Sequence, residues 1–519
     1  MNRLLPCVLA AGAATAVAMS QGVLPLAQNV RFGAIRANFS GPCGWSTVPT
    51  TSADEGMVMF LPDGSCTVQV DNYSVCPGGT LYPGPVQGAS GTYLVGTDGT
   101  LTVRWQPNQP GVDDDVLMLR ADGSVMVRTR YSDRSEDALV MVGIALSGGK
   151  GRGSLTGAYR VVRLLERNAV TGFAVQGDIG TILFDGIGGY VDQGTRRLLP
   201  QGGTATTGTY GPLNGTYTVD PDGTVATGVG ALGAVSDDCE VFFWQRRAGT
   251  DVSLTIGLRQ GSNYDSAMAA GPWRVAVMQD AVLGTLPQAE LRTDWGTMEL
   301  QPWSSGGTLV LDAQRVVSIP TQTTASPYTP SDTFAISAQG DLSLFDASPA
   351  PMPGALAADG SVLAALVVPG DAIGLAIGIA GAHWPTPVGI ATPGTNGVAP
   401  AVLPLGGFPY VGNDAFGYAI VGGRGGAPAG LVVTGGVTAG LPMFGGLVFV
   451  DPNRLFGAHA LQLSGANGQP GVGAAAVPLP LPLVPRLAGI RIASQAFVLD
   501  PGAPQGVAMS RALEFVLCR

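Results

Sequence analysis

Asn214-Gly-Thr-Tyr-Thr-Val-Asp-Pro-Asp-Gly-Thr-Val225 decides the fold class, because it reads as strand, turn and strand. Thr216 to Val219 alternates polar and apolar side chains, the two-residue period of a half-buried strand. Asp222-Gly223 then supplies the turn, where the backbone needs a positive φ that glycine adopts without steric cost. Earlier in the chain, Ser90-Gly-Thr-Tyr-Leu-Val-Gly-Thr-Asp-Gly-Thr-Leu101 has the same order of residues, and a weaker copy runs through Phe334 and Gly340 to Leu344.

Two further markers recur in the same order around these copies. One is Arg120-Ala-Asp-Gly-Ser-Val125, echoed at Ala358-Asp-Gly-Ser-Val362 and degenerately around Asp237 and Asp238. The other is an apolar run centred on glycine: Val142-Gly-Ile144, Ile256-Gly-Leu258 and Ile377-Gly-Ile379. Ordered markers define internal repeats. They divide the chain into units at 38–155, 156–269 and 270–382. Each unit opens or re-opens on an aromatic residue, Trp45, Tyr159 or Trp273, expected as a core plug.

Counting Asp-Gly turns and alternating runs gives about eight short strands per unit. The expectation is an all-β protein of three tandem antiparallel meanders, each closed into a small β-barrel that leaves no sheet edge. The alternative is a single six-bladed propeller, whose blades would exceed the usual repeat of about 40–50 residues. The Gly157-Ala-Tyr159 and Gly271-Pro-Trp273 openings resemble the Gly-x-Trp of lipocalins. That resemblance implies a barrel holding a small apolar ligand.

Beyond the repeats, 383–395 is rich in Pro and Gly and reads as a linker. In 396–519 the phrases Val411-Gly-Asn-Asp-Ala-Phe-Gly-Tyr418, Phe449-Val-Asp-Pro452 and Val477-Pro-Leu-Pro-Leu-Pro482 follow one another, then Gln495-Ala-Phe-Val-Leu-Asp-Pro-Gly-Ala503 and Ser510-Arg-Ala-Leu513. This region resembles an uncharacterised module that ends many secreted planctomycete-type bacterial proteins. The resemblance implies a β-sandwich on an exported protein and no known catalytic residue. The Pro-Leu-Pro-Leu-Pro run suits an edge or connection, since proline has no amide to donate.

Residues 1–20 read as a signal peptide: Arg3, an apolar stretch from Leu4 to Val17, and small-x-small cleavage candidates at Ala14–Ala16 and Ala16–Ala18. Export permits disulfides. Cys43, Cys66 and Cys76 crowd together, so one local bridge among these three is expected.

Chemistry is scarce. Only 12% of the 519 residues are charged, and the formal net charge is −10. An acidic chain with no basic run repels phosphate backbones, which excludes nucleic acid as a partner. The two histidines are His383 and His459, so no unit before 382 can build a Ser-His-Asp triad or a histidine-bearing metal site. Ser510, His459 and Asp500 are the residues from which a triad could be imagined in the last module, without a nucleophile-elbow motif to support it. Calcium is the one cofactor considered, with Asp113, Asp114 and Asp115 or Asp220 and Asp222 as loop carboxylates. Trp105 and Trp303 fall outside the repeat pattern and are the candidate ligand-surface aromatics. The functional expectation is an exported, non-enzymatic structural, adhesive or binding protein of the cell surface. Glycans, cell-envelope components or other surface proteins are the partners. Small-ligand binding inside the barrels and a carboxylate-dependent carbohydrate enzyme are the alternatives.

Overall fold

The computed structural model describes residues 28–39, 49–84, 86–96, 99–106, 115–129, 138–169, 172–201, 203–262, 264, 266–269, 271–281, 290–303, 306–319, 322–345, 351–368, 372–380, 385–405, 409–482, 484, 487 and 490–517. The signal region, Trp45, Cys43, Asp113, Asp114 and His383 therefore lie outside the described residues.

The chain is all-β, with three closed eight-stranded barrels in tandem. Barrel 1 runs through Gln28–Asn38, Thr50–Phe60, Ser65–Val75, Gln87–Val95, Thr100–Gln106, Asp115–Leu119, Val125–Thr129 and Ala138–Ala145. Each strand pairs antiparallel with the next, and the first pairs with both the second and the eighth, so the ring has no gap. Barrel 2 closes the same way from Thr156–Ala169 to Asp251–Arg259, and barrel 3 from Gly271–Ala281 to Ala372–Ala380. Ring closure excludes the six-bladed propeller.

Two expectations change. Barrel 1 begins ten residues before the assigned edge at 38, because Gln28–Asn38 is its first strand. That strand precedes the first repeat marker and carries no Asp-Gly turn of its own. The supposed linker also contributes structure: Thr386–Val388 pairs with Ala512–Val516, and Thr392 bridges Met509. Pro387 is tolerated because the strand lies at the edge of its sheet.

Register puts equivalent positions of the three repeats in correspondence. Phe32, Val161 and Val275 in the three first strands each face one glycine of the second strand and one of the eighth. The eighth-strand glycines are the sequence markers Gly143, Gly257 and Gly378. A Cβ there would run into Met126, Phe242 or Leu363, the cross-strand partner whose side chain lies across the glycine. Glycine is needed for that close approach.

Outward faces of the barrels pack on one another. Ile35, Ala37 and Phe39 of barrel 1, Val162 and Leu164 of barrel 2, and Ala276 and Met278 of barrel 3 belong to one buried cluster. One end of this junction is polar. Arg120 is 6% exposed and reaches Asp122 of its own barrel, Asp238 of barrel 2 and Asp359 of barrel 3. These aspartates occupy the same turn in each repeat, accepting the amide of Ser124, Glu240 or Ser361. The next position has positive φ in all three: Gly123 at 76°, Cys239 at 61° and Gly360 at 73°. Ser236 and Ala357 stand where barrels 2 and 3 would place an arginine. One guanidinium thus serves three carboxylates.

Residues 382–519 form a separate unit. One sheet orders Thr386–Val388, Ala512–Val516, Arg491–Leu499, Pro428–Thr434 and Leu455–Gln462, with Val507–Met509 beside Arg491–Leu499. A second joins Ala401–Leu405, Gly417–Gly423 and Gly473–Pro478. Phe416, Tyr418, Leu431, Val498 and Phe515 of the two sheets share a core, making a sandwich. Gly473–Pro478 is an edge strand, and Leu479 onward leaves the sheet.

Candidate functional site

Barrel interiors can enclose volume, and inward positions alternate with outward ones along every strand. All three barrels place an aspartate at one equivalent inward site, two residues before the second-strand glycine: Asp54, Asp178 and Asp294. Each faces arginine. Asp54 pairs with Arg36 and accepts the Asn72 amide. Asp178 pairs with Arg163 at 3.1 Å and Arg196 at 3.1 Å. Asp294 takes Arg315 in a two-pronged pair at 2.7 and 2.6 Å.

What surrounds that aspartate differs sharply. In barrel 2, Tyr159, Phe184, Tyr217, Phe242 and Trp244 fill the lumen, with ring centroids 4.8 to 6.1 Å apart. Above them Arg163 also holds Asp192 at 2.7 Å, and Tyr210 donates to Asp192 at 3.0 Å. Burial disfavours the Arg163 charge, but Asp192 and Asp178 outweigh it and keep the guanidinium ionised.

Barrel 1 instead encloses a cavity of about 490 Å³. Small-molecule sites span about 300–1,000 Å³. Its base is apolar, built from Phe32, Val58, Phe60, Val68, Val103 and Leu117. Phe60 and Tyr93 meet edge to face at 5.1 Å, and Tyr93 donates to Leu61 O at 2.8 Å, which closes that end. Its other end is polar. Arg36, Asp54 and Asn72 form one group, and Arg128, Asp115 and Trp105 another. Trp105 Nε1 donates to Asp115 at 2.7 Å. Four-residue turns such as 61–64 close the base.

Barrel 3 lies between these extremes. Its cavity measures about 240 Å³, lined by Val275, Val277, Met298, Asp294, Arg315 and Tyr328. Arg315 lies 3.3 Å over the Tyr328 ring, a cation–π contact that narrows the lumen.

The structure redistributes the sequence candidates. Trp105 lines the barrel 1 cavity rather than an outer surface. Trp303 ends the second strand of barrel 3 opposite Gly306, and its side chain lies outside the described residues. Asp115 is the partner of Arg128 and Trp105, so both of its oxygens are occupied. Asp222 accepts the amide of Thr224 at 2.9 Å as a turn residue, and Asp220 is exposed beside it. Among the described residues no three His, Cys, Asp or Glu side chains gather as a metal set. Cys76 is disulfide-bonded, whereas Cys66 is a free buried thiol and drops out as a bridge partner. Burial pushes the Cys66 thiol up to about 11, so it stays protonated and unreactive.

No triad forms in the last module. Ser510 is fully buried, donating to Arg511 O at 2.7 Å and accepting from Ala496 N at 2.9 Å. Asp500 accepts from the amides of Thr395 at 2.9 Å and Gly502 at 3.0 Å. His459 stands across a strand from Ala496, with Leu431 between them.

The inward aspartates fall in an Asp-x-Gly repeat, Asp54-Glu-Gly56, Asp178-Ile-Gly180 and Asp294-Trp-Gly296, which none of the sequence markers includes. Its signal is a shared spacing, visible once the strand register is known.

No family model matches the chain, and no curated protein does. Among solved structures it is similar to the isotype 1 transferrin binding protein B from serogroup B Neisseria meningitidis. Identity is 10%, the match covers 68% of this chain and 76% of that one, and the TM-score is 0.18. So loose a likeness carries no argument about fold, partner or function.

Proposed function

We propose that the chain is an exported, non-catalytic binding protein of the bacterial cell surface, with barrel 1 as its ligand chamber. The observation that carries this reading is the barrel 1 cavity, present in a lumen whose counterpart in barrel 2 holds packed aromatic rings. The ligand is a small molecule with an apolar body and an uncharged head rich in hydrogen-bonding groups. Its body would displace water from the Phe32, Phe60 and Val68 base, which stabilises the complex by roughly 25 cal/mol per Å² of apolar surface. Its head would meet Asn72, Ser52 and the Trp105 ring at the polar end. A net charge on the ligand is disfavoured, because Arg36 and Arg128 are already neutralised by Asp54 and Asp115.

The same pairing argues against the carbohydrate-enzyme reading, since a general acid needs a carboxyl free to exchange its proton. Adhesion is supported separately by the sandwich, where Met443, Phe444, Leu455 and Phe456 expose apolar surface. Attachment or sorting at the envelope is its proposed role, in keeping with the resemblance of 396–519 to modules of secreted proteins.

Native mass spectrometry of the purified full chain tests the chamber, with Trp105 fluorescence followed against a panel of amphiphiles. The expected result is a stoichiometric adduct that alters Trp105 emission and disappears in Ala34→Trp, which fills the lumen. An adduct unaffected by Ala34→Trp, or no adduct across the panel, would overturn the reading.

A further inference from the structure

A pair of carboxyl groups lies at the end of the barrel junction opposite Arg120. Glu166 is 0% exposed and Asp280 1%. Both occupy the same outward position in their first strands, five residues after Val161 and Val275. The equivalent residue of barrel 1 is Ala37, also fully buried. The two carboxyl groups lie within hydrogen-bonding reach of each other, and Glu166 also meets the Thr51 hydroxyl of barrel 1. Apart from that hydroxyl, no donor among the described residues reaches the carboxyl oxygens of either. Beside them, Asn168 donates to Pro49 O at 2.8 Å and to Val75 O at 3.1 Å, tying barrel 2 to barrel 1.

Neighbouring strands bring no cation to the pair among the described residues. Arg163 is held by Asp178 and Asp192, Arg167 by Asp251, Arg128 by Asp115 and Arg292 by Glu290. Asp54 and Glu55 of the adjacent barrel 1 strand are held by Arg36 and by Arg31 with Arg247. The sixth, seventh and eighth strands of barrel 3 carry no charged residue at all.

We propose that Glu166 and Asp280 share one proton, and that this proton seals the junction of the three barrels, loosening it when withdrawn. Two buried carboxylates in contact cannot both ionise, because neither water nor a counter-charge offsets their repulsion. With one proton between them, one carboxyl donates to the other, so that one oxygen of each is satisfied. Burial raises both groups above the usual carboxyl range; the Asp280 charge adds to this at Glu166, while the hydrogen bond with Glu166 partly opposes it at Asp280. The stability they confer is therefore complete at acidic pH and lost as pH rises through the raised values.

The test follows thermal unfolding of the full chain from about pH 5 to about pH 8.5, comparing wild type with Glu166→Gln/Asp280→Asn. Wild type should lose several degrees more of its midpoint over this range than the double variant. Glu240→Gln serves as a control at the Arg120 end, where burial lifts Glu240 to about 7. That variant should keep the part of the slope that the double variant lacks. Parallel profiles for wild type and the double variant would overturn the proposal. So would a wild-type midpoint that rises with calcium chloride and falls with EDTA at fixed pH, since a cation would then neutralise the pair. Should the double variant fail to fold, hydrogen exchange of wild type decides. Amides of Thr156–Ala169 and Gly271–Ala281 should lose protection at high pH beyond the intrinsic change, and constant protection refutes the shared proton.

Discussion

Barrels 1 and 2 have the same strand order, the same inward aspartate and the same glycine in the eighth strand, yet one encloses a cavity and the other holds a cluster of packed aromatic rings. Where barrel 2 places Tyr159, barrel 1 has Val30; where it places Phe242, barrel 1 has Met126. The ring of backbone hydrogen bonds is therefore indifferent to what fills it. An eight-stranded barrel is at the size where side chains can either fill the lumen or leave room for one ligand. Barrel 2, with its interlocked aromatic rings, is the structural member of the pair, and barrel 1 the one with room to bind.

Truncation should expose this division most strongly. Phe242→Ala removes a fully buried ring that touches Tyr159, Phe184 and Trp244, and should cost about 3–5 kcal/mol by denaturant unfolding. Phe60→Ala in barrel 1 enlarges a void that already exists, so its loss should be clearly the smaller of the two. Equal losses would mean that barrel 1 is packed as tightly as its neighbour.

Arg120 tests what the barrels share rather than how they differ. Arg120→Leu leaves three partly buried carboxylates without their cation, at a cost of about 3 kcal/mol near neutral pH. Burial alone would raise the carboxyl of Asp238, but Arg120 and Ser236 outweigh it and hold it below the usual range. Its contribution is present above the ordinary carboxylate pKa and is lost as pH falls through the depressed value. The gap between wild type and Arg120→Leu should therefore narrow in acid. A gap that does not change with pH would show that Arg120 acts by packing alone.

Much of this architecture was legible, for reasons that differ by element. Asp-Gly at 122 and 359 predicts a turn because the positive φ is a local demand of the backbone. Gly143, Gly257 and Gly378 mark eighth strands because each must leave space for one side chain across the pair. The strand at Gln28–Asn38 escaped because it closes its ring with Ala138–Ala145, a pairing without any local signature. Thr386–Val388 was hidden by its proline. The interior aspartates were unreadable for a subtler reason. Whether Asp54 faces inward depends on register, and a one-residue slip would turn it to the surface. Cavity volume is still further from sequence, being the balance of side chains from eight strands.

The smallest effect is also the sharpest comparison. Ala34 and Ala231 are both buried and inward, one beside the barrel 1 cavity and the other within the barrel 2 core. Enlarging a side chain in a filled core forces its neighbours off their rotamers, so Ala231→Leu should cost about 1–3 kcal/mol. Ala34→Leu has space to occupy, and should change stability by less than about 1 kcal/mol while shrinking the chamber. Its consequence belongs to binding: affinity for the amphiphile proposed as the barrel 1 ligand should fall although the fold is untouched. If instead Ala34→Leu destabilises the chain as much as Ala231→Leu, the space beside Ala34 is not available in solution. The contrast between the two barrels would then lie in side-chain identity alone, and not in the capacity to hold a ligand.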